Sequence, residues 1–179
     1  MQQFNNKFLS PSYDDRDASS LIKYVILHYT ELNFDIALNH YLDPEIKLST
    51  HYLVKQDGEI LQLISDDKRA WHAGKSYWQS DEALNNSSLG IEIDNLGDEE
   101  FNSQQMQSVL ELCQYLQTKH NILPQNFLAH SDIAAERKID PGIFMNWRYL
   151  AEFKIGIMPD PMSQQDHSQI HAINDQSQE

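Results

Sequence analysis

Residues 21–29, LIKYVILHY, form a nearly unbroken apolar and β-branched run, interrupted by Lys23 and carrying His28 near its C-terminal end. A strand with one wet face alternates apolar and polar residues. A run without alternation suits a strand buried on both faces, as in a sheet covered by helices. That one segment already asks for an α/β architecture, and 179 residues suit a single domain. It also poses a problem. A histidine near the end of a buried strand needs a partner, because a polar group buried unpaired costs several kcal/mol.

The rest of the chain divides around this strand. Residues 1–20 are polar and turn-rich and read as an arm lying on the domain. Phe34 to Leu42 suits a short amphipathic helix ending before Pro44. Residues 51–64, HYLVKQDGEILQLI, read as a hairpin, with Asp57-Gly58 suited to the positive φ angles of a two-residue turn. Residues 68–88 show no period and read as a long loop, and loops of that length more often carry function than not. LGIEID, residues 89–94, reads as a strand.

The best-marked helix covers about 103–120, where Met106, Val109, Leu110, Cys113 and Leu116 recur on one face. Asn102 is placed as its N-cap, with Gln105 at the capping-box position and Phe101 stapled onto Met106. FLAH at 127–130 reads as a strand end, and a last helix is expected from about Pro141, with Phe144, Trp147 and Leu150 on one side. The folded domain is accordingly drawn at 21–158, with 159–179 a polar and disordered tail. His167 and His171 in that tail have helical ligand spacing but read as solvated.

Composition narrows the chemistry. Thirteen Lys and Arg against 27 Asp and Glu give a net charge of −14, which argues against nucleic acid as the partner. The single cysteine, Cys113, falls among core positions and excludes both an internal disulfide and a thiolate metal site. A metal here must rest on the eight histidines and on carboxylates. No stretch approaches the ~20 apolar residues needed to span a bilayer, and the N-terminus lacks the apolar centre of a secretory signal. A soluble monomer is expected.

His28 closes one strand, His130 follows an apolar run, and Glu92 interrupts LGIEID. Each has an ordinary explanation as a hydrogen-bonded core residue, and Asp140-Pro141 has one as an N-cap followed by proline. Taken together and in order, however, VILHYT, STHYLVKQDGEILQLI, RAWHAG, SLGIEIDN and AHSDIAAERKIDPG resemble the zinc-dependent N-acetylmuramoyl-L-alanine amidases of the amidase-2 type. That group spans bacterial muropeptide amidases, phage lysozymes and animal peptidoglycan recognition proteins. The likeness covers about residues 10–155.

The resemblance implies a single α/β domain with a mixed central sheet flanked by helices, and one Zn²⁺ at strand C-terminal ends. It matches His28, His130 and Asp140 to the metal ligands, Glu92 to the general base and Lys138 to the catalytic lysine. Trp71, His72, Tyr29 and His51 become candidates for contact with substrate or for places near the metal. Trp78 and the NNSS stretch are candidates for the cleft rim, and Arg69, Lys75 and Arg137 for local cations facing the carboxylates of a stem peptide. The implied substrate is peptidoglycan or a muropeptide, cut between the lactyl group and L-alanine, and it favours the periplasm or cell envelope over the cytoplasm. Two other classes stay open: a peptidoglycan-binding module without catalysis, and a different metal-dependent peptidase or amidohydrolase.

Overall fold

Strand β2 (Tyr24–Tyr29) is the second strand of the chain, after β1 (Tyr13–Asp15), and all of it but Tyr29 is buried. The computed structural model describes residues 4–17 and 19–158, so the tail at 159–179, His167 and His171 included, lies outside the described residues. After β2 come α1 (Phe34–Leu42), β3 (Tyr52–Val54), β4 (Ile60–Gln62), β5 (Lys68–Ala70), β6 (Tyr77–Trp78), β7 (Asp81–Glu82) and β8 (Ser88–Ile93). The order closes with α2 (Ser103–His120), β9 (Phe127–Ala129), α3 (His130–Ile133) and α4 (Trp147–Glu152).

The central sheet has five strands in the order β4-β3-β8-β2-β9. β3, β8, β2 and β9 are parallel and β4 is antiparallel, so the sheet is mixed. Alternation along the strands divides them between two layers. Val25, Leu27, Leu89, Ile91 and Ile93 face α2, where Val109, Leu112, Cys113 and Leu116 complete the larger core. Leu53 and Leu61 of the other face meet Ala37, Leu38 and Tyr41 of α1, and Tyr24, Ile26 and Leu128 meet Ile133 of α3 with Ala73 and Leu84. Among the described residues no helix is long and apolar enough to cross a membrane.

Three expectations change here. The hairpin forms, but Gly58 N–H bonds Lys55 O and Lys55 N–H bonds Glu59 O, with only Gly58 at positive φ (83°). Its loop is therefore the three-residue kind, with a left-handed glycine. The stretch 68–88 is not a bare loop: β5 pairs with β1 in the arm, and β6 pairs with β7. The pairing with the arm joins residues about 55 positions apart (Asp14 with Arg69), which no local pattern announces. The last helix starts at Trp147 rather than Pro141, with Asn146 accepting from Tyr149 N–H, while Met145 just before it is drawn into the core.

Helix α2 forms over 103–120 as expected, its N-cap Asn102 accepting from Gln105 N–H. The Gln105 side chain does not close a capping box; it is buried and donates to Asp94 O at 2.9 Å.

Candidate metal centre

Parallel strands bring their C-terminal ends to one edge, and here β2, β8 and β9 bring three ionisable groups with them. His28 is the penultimate residue of β2, and Glu92 is its register partner on β8, so both side chains leave the same face. His130 opens α3 directly after β9. Asp140 arrives from the following turns, anchored by Ser131 N–H donating to Asp140 O at 3.0 Å.

The result is a triangle. His28 Nδ1 lies 2.9 Å from His130 Nδ1 and 2.9 Å from Asp140 Oδ2, and His130 Nδ1 lies 3.0 Å from that oxygen. All three residues are buried, and they are the one such group found among the described residues. Three ligands held at about 2.0–2.1 Å around a tetrahedral Zn²⁺ stand about 3.3 Å from one another, so the triangle is close to the size that ion requires. The donor chemistry agrees. His130 Nε2 faces the Ala73 carbonyl at 3.2 Å, an atom that can only accept, so Nε2 carries the proton and Nδ1 presents its lone pair to the triangle.

Burial pushes His28 down to about 4, so it is a neutral imidazole at neutral pH. Burial also works to raise Asp140, but the imidazoles of His130 and His28 more than reverse it and hold the carboxylate well below its usual range. One neutral imidazole, the Nδ1 lone pair of His130 and one carboxylate thus converge. These residues fit a divalent cation.

A cavity of about 620 Å³ opens over the triangle, walled by His28, His130, Asp140, Glu92, Tyr29 and Tyr41, with Arg137 and Lys138 on one side. Burial, then the nearby Asp140 charge, raises Glu92 well above the normal carboxyl value, while Tyr41 and Lys138 pull the other way. Glu92 Oε2 has no hydrogen-bond partner among the described residues. Lys138 and Asp140 both reach the cavity, separated by Ile139, which is 76% exposed.

The remaining sequence candidates divide. Tyr29 lines the cavity and lays its ring against Gly97 and Gly142. His72 reaches the cavity wall but is buried behind His28. His51 and Trp71 are outside the wall: His51 Nδ1 accepts from Gly90 N–H, and Trp71 Nε1 donates to Asp14 of the arm at 2.7 Å. Arg69 is likewise bound to Asp14, and Trp78 borders a separate hollow with Trp147. Of the three cations, Arg137 alone lines the cavity; it donates to Ala73 O and Lys75 O. Within NNSS, Asn85 Oδ1 accepts from both His72 N–H and Ala73 N–H, so it shapes the RAWHAG turn from beneath.

Sequence reasoning missed Tyr41, Arg16 and Gly90. Only the glycine left a signal, as an isolated Gly inside a strand marks a close approach of something else.

The family model described as N-acetylmuramoyl-L-alanine amidase, Amidase_2, matches residues 18–143. The chain belongs to the Amidase_2 family. Among its relatives in that family, N-acetylmuramoyl-L-alanine amidase AmiD of Escherichia coli is 37% identical over 155 residues, covering 78% of this chain and 55% of AmiD. The chain thus spans about half the length of that relative. The 1,6-anhydro-N-acetylmuramyl-L-alanine amidase AmpD of Haemophilus influenzae is 32% identical over 165 residues, covering 81% of this chain and 90% of AmpD.

The solved complex of E. coli AmiD with the substrate anhydro-N-acetylmuramic acid-L-Ala-D-gamma-Glu-L-Lys superposes with a TM-score of 0.75 at 34% identity, covering 82% of this chain and 63% of that one. AmpDh3 from Pseudomonas aeruginosa gives a TM-score of 0.79 at 27% identity, covering 97% of this chain and 74% of that one. The mixed sheet with helices on both faces is therefore the Amidase_2 fold.

Proposed function

We propose that this Amidase_2 chain is a zinc-dependent N-acetylmuramoyl-L-alanine amidase, hydrolysing the amide between the muramoyl lactyl group and L-alanine in muropeptides or peptidoglycan. The observation that carries this reading is the buried His28–His130–Asp140 triangle opening onto the cavity that also holds Glu92 and Lys138. His28, His130 and Asp140 would hold one Zn²⁺. When bound, such an ion polarises a carbonyl and makes water nucleophilic at neutral pH.

The protein's own groups supply the rest. Glu92, buried and unpartnered at Oε2, is suited to take a proton from the attacking water and deliver it to the leaving alanine nitrogen. Its raised proton affinity favours holding that proton until the nitrogen departs. Lys138 sets a fixed positive charge in the same wall, where an oxyanion develops; such a charge in a water-poor site is worth a few kcal/mol. Tyr29, Tyr41 and Leu32 give the wall its apolar surface, suited to exclude water around the sugar's lactyl arm. Arg137 is the cation suited to a stem-peptide carboxylate. The substrate class favours the periplasm or cell envelope as the compartment, and the reading needs only a monomer.

A muropeptide digest followed by mass spectrometry tests the reading. Free stem peptides with intact sugars are expected, together with loss of activity on chelation and recovery with zinc. Shortened stems would make the chain a peptidase, and binding without hydrolysis in the presence of zinc would make it a recognition module.

A further inference from the structure

Behind the metal triangle runs a line of hydrogen bonds that ends on a backbone carbonyl. His28 Nε2 lies 3.1 Å from His72 Nδ1, His72 Nε2 lies 3.3 Å from Ser88 Oγ, and Ser88 Oγ lies 2.6 Å from Leu84 O. The direction of every proton follows from the last contact. A carbonyl cannot donate, and two oxygens at 2.6 Å need a hydrogen between them, so the Ser88 hydroxyl gives its only proton to Leu84. Ser88 Oγ then accepts from His72 Nε2–H. His72 is buried with no carboxylate among its described partners, hence neutral, so its Nδ1 is an acceptor and takes the proton of His28 Nε2–H. His28 is left with its Nδ1 lone pair aimed at His130 and Asp140. Reversing the line would put a proton on His28 Nδ1, inside the triangle.

The line is held from three sides. An added Cβ at Gly90 would lie 2.5 Å from His72 Cγ, so the imidazole rests directly on the β8 backbone. Asn85 fixes the His72 main chain from below. Arg16 of the arm donates to Asp66 O, Asn85 O, Asn86 O and Ser88 O at 2.7–3.0 Å, clasping the turn that supplies both Ser88 and Leu84.

We propose that His72 is a positioning residue that, through Ser88 and the Leu84 carbonyl, locks His28 in the Nε2–H tautomer required of a metal ligand. This rests on the zinc reading of the triangle, and it assigns His72 to the ligand's support rather than to substrate contact. Hydrogen-bonded partners of ligating histidines typically contribute about 10–100-fold in metal affinity.

The test combines zinc affinity, by competition with a chromophoric chelator, with imidazole ¹⁵N spectra assigned by difference from His28→Ala. Wild type should bind zinc and, metal-free, show His28 protonated at Nε2. His72→Ala should weaken zinc about 10–100-fold and give His28 a mixture of tautomers. His72→Asn sets an oxygen where Nδ1 was and should recover most of the affinity, whereas His72→Gln, which reaches the Nε2 position instead, should not. Ser88→Ala keeps His72 packed and should scramble the His72 tautomer with a smaller loss of affinity, so the inference stays testable if His72→Ala does not fold. Wild-type affinity and an unchanged His28 spectrum in both His72→Ala and Ser88→Ala would overturn the inference while leaving the zinc site intact. Equal losses in Asn, Gln and Ala would reduce His72 to packing and overturn it as well. A wild type that binds no zinc would overturn both readings at once.

Discussion

The two faces of strands β2 and β8 are made from alternate residues of the same two segments, yet they carry different burdens. Toward α2 the alternation gives Val25, Leu27, Leu89, Ile91 and Ile93, all fully buried and apolar. Toward the other side it gives Ile26 and His28, then Ser88, Gly90 and Glu92. The first face is an ordinary core whose contacts are interchangeable within limits of volume. The second is set by directional contacts: His28 and Ser88 sit in a line of hydrogen bonds, and Glu92 Oε2 has no partner among the described residues. Along these two strands one face is given wholly to packing and the other shares packing with chemistry, so the same backbone that builds the larger core also positions His28 and Glu92.

Substitutions on the two faces should therefore separate activity from stability. The largest expected effect is on the chemical side: Glu92→Gln should lower turnover about 10²–10⁴-fold while zinc content, measured by atomic absorption, stays at wild-type level. Its thermal midpoint should not fall, since an amide is cheaper to bury than a carboxyl without a partner. A Glu92→Gln protein that loses zinc would break the separation between base and ligands.

Next, Leu112→Ala on the opposite face should lower unfolding free energy by about 2–5 kcal/mol in urea titrations, with activity per folded molecule retained. Gly90→Ala should do some of each. The new methyl meets the His72 ring, so a loss of roughly 1–3 kcal/mol should accompany weakened zinc binding. Asn102→Ala removes the α2 cap and the exposed Nδ2 bond to Gln56 O, and should cost about 1 kcal/mol with no change in zinc affinity.

The smallest and most conditional effect is a pH dependence far from the cavity. Burial works to raise the Asp66 carboxyl, but His120, Lys119 and Tyr52 reverse it and hold it well below the ordinary 3.8. A carboxyl with a depressed folded pKa contributes stability that is full above its unfolded value and is lost as pH falls below it. Wild type should therefore exceed Asp66→Asn in urea midpoint at pH 7, and the gap should narrow as pH is lowered from about 4 toward 2. A gap undiminished over that range would assign the difference to packing.

The same division explains what could be read from the chain before it was folded. Helix α2 was legible to the residue because its apolar period and its Asn102 cap are both local signals. The pairing of His28 with His130 and Asp140 was legible only through the order of several segments, since nothing near His28 in the sequence points 100 residues ahead. The β1–β5 ladder was not legible, nor was the withdrawal of Trp71 and His51 from the cavity, because both depend on where the arm lies. The start of α4 was misread because Phe144 continues its apolar period backwards, while the chain in fact turns to deliver Met145 to the core.

The grip of Arg16 has a consequence for where this unit can be cut. The match to the family model begins at residue 18, two positions beyond a guanidinium that engages the main-chain oxygens of Asn85, Asn86 and Ser88 beneath the His28–His130–Asp140 triangle, and of Asp66. At the other end that match stops at residue 143, before the fully buried Leu150 and Ile155. A fragment trimmed to those limits would keep every residue named in the chemistry and yet free the turn that orients them. The boundary of the family match and the boundary that holds the site stiff are different lines, and a protein engineer should respect the outer one.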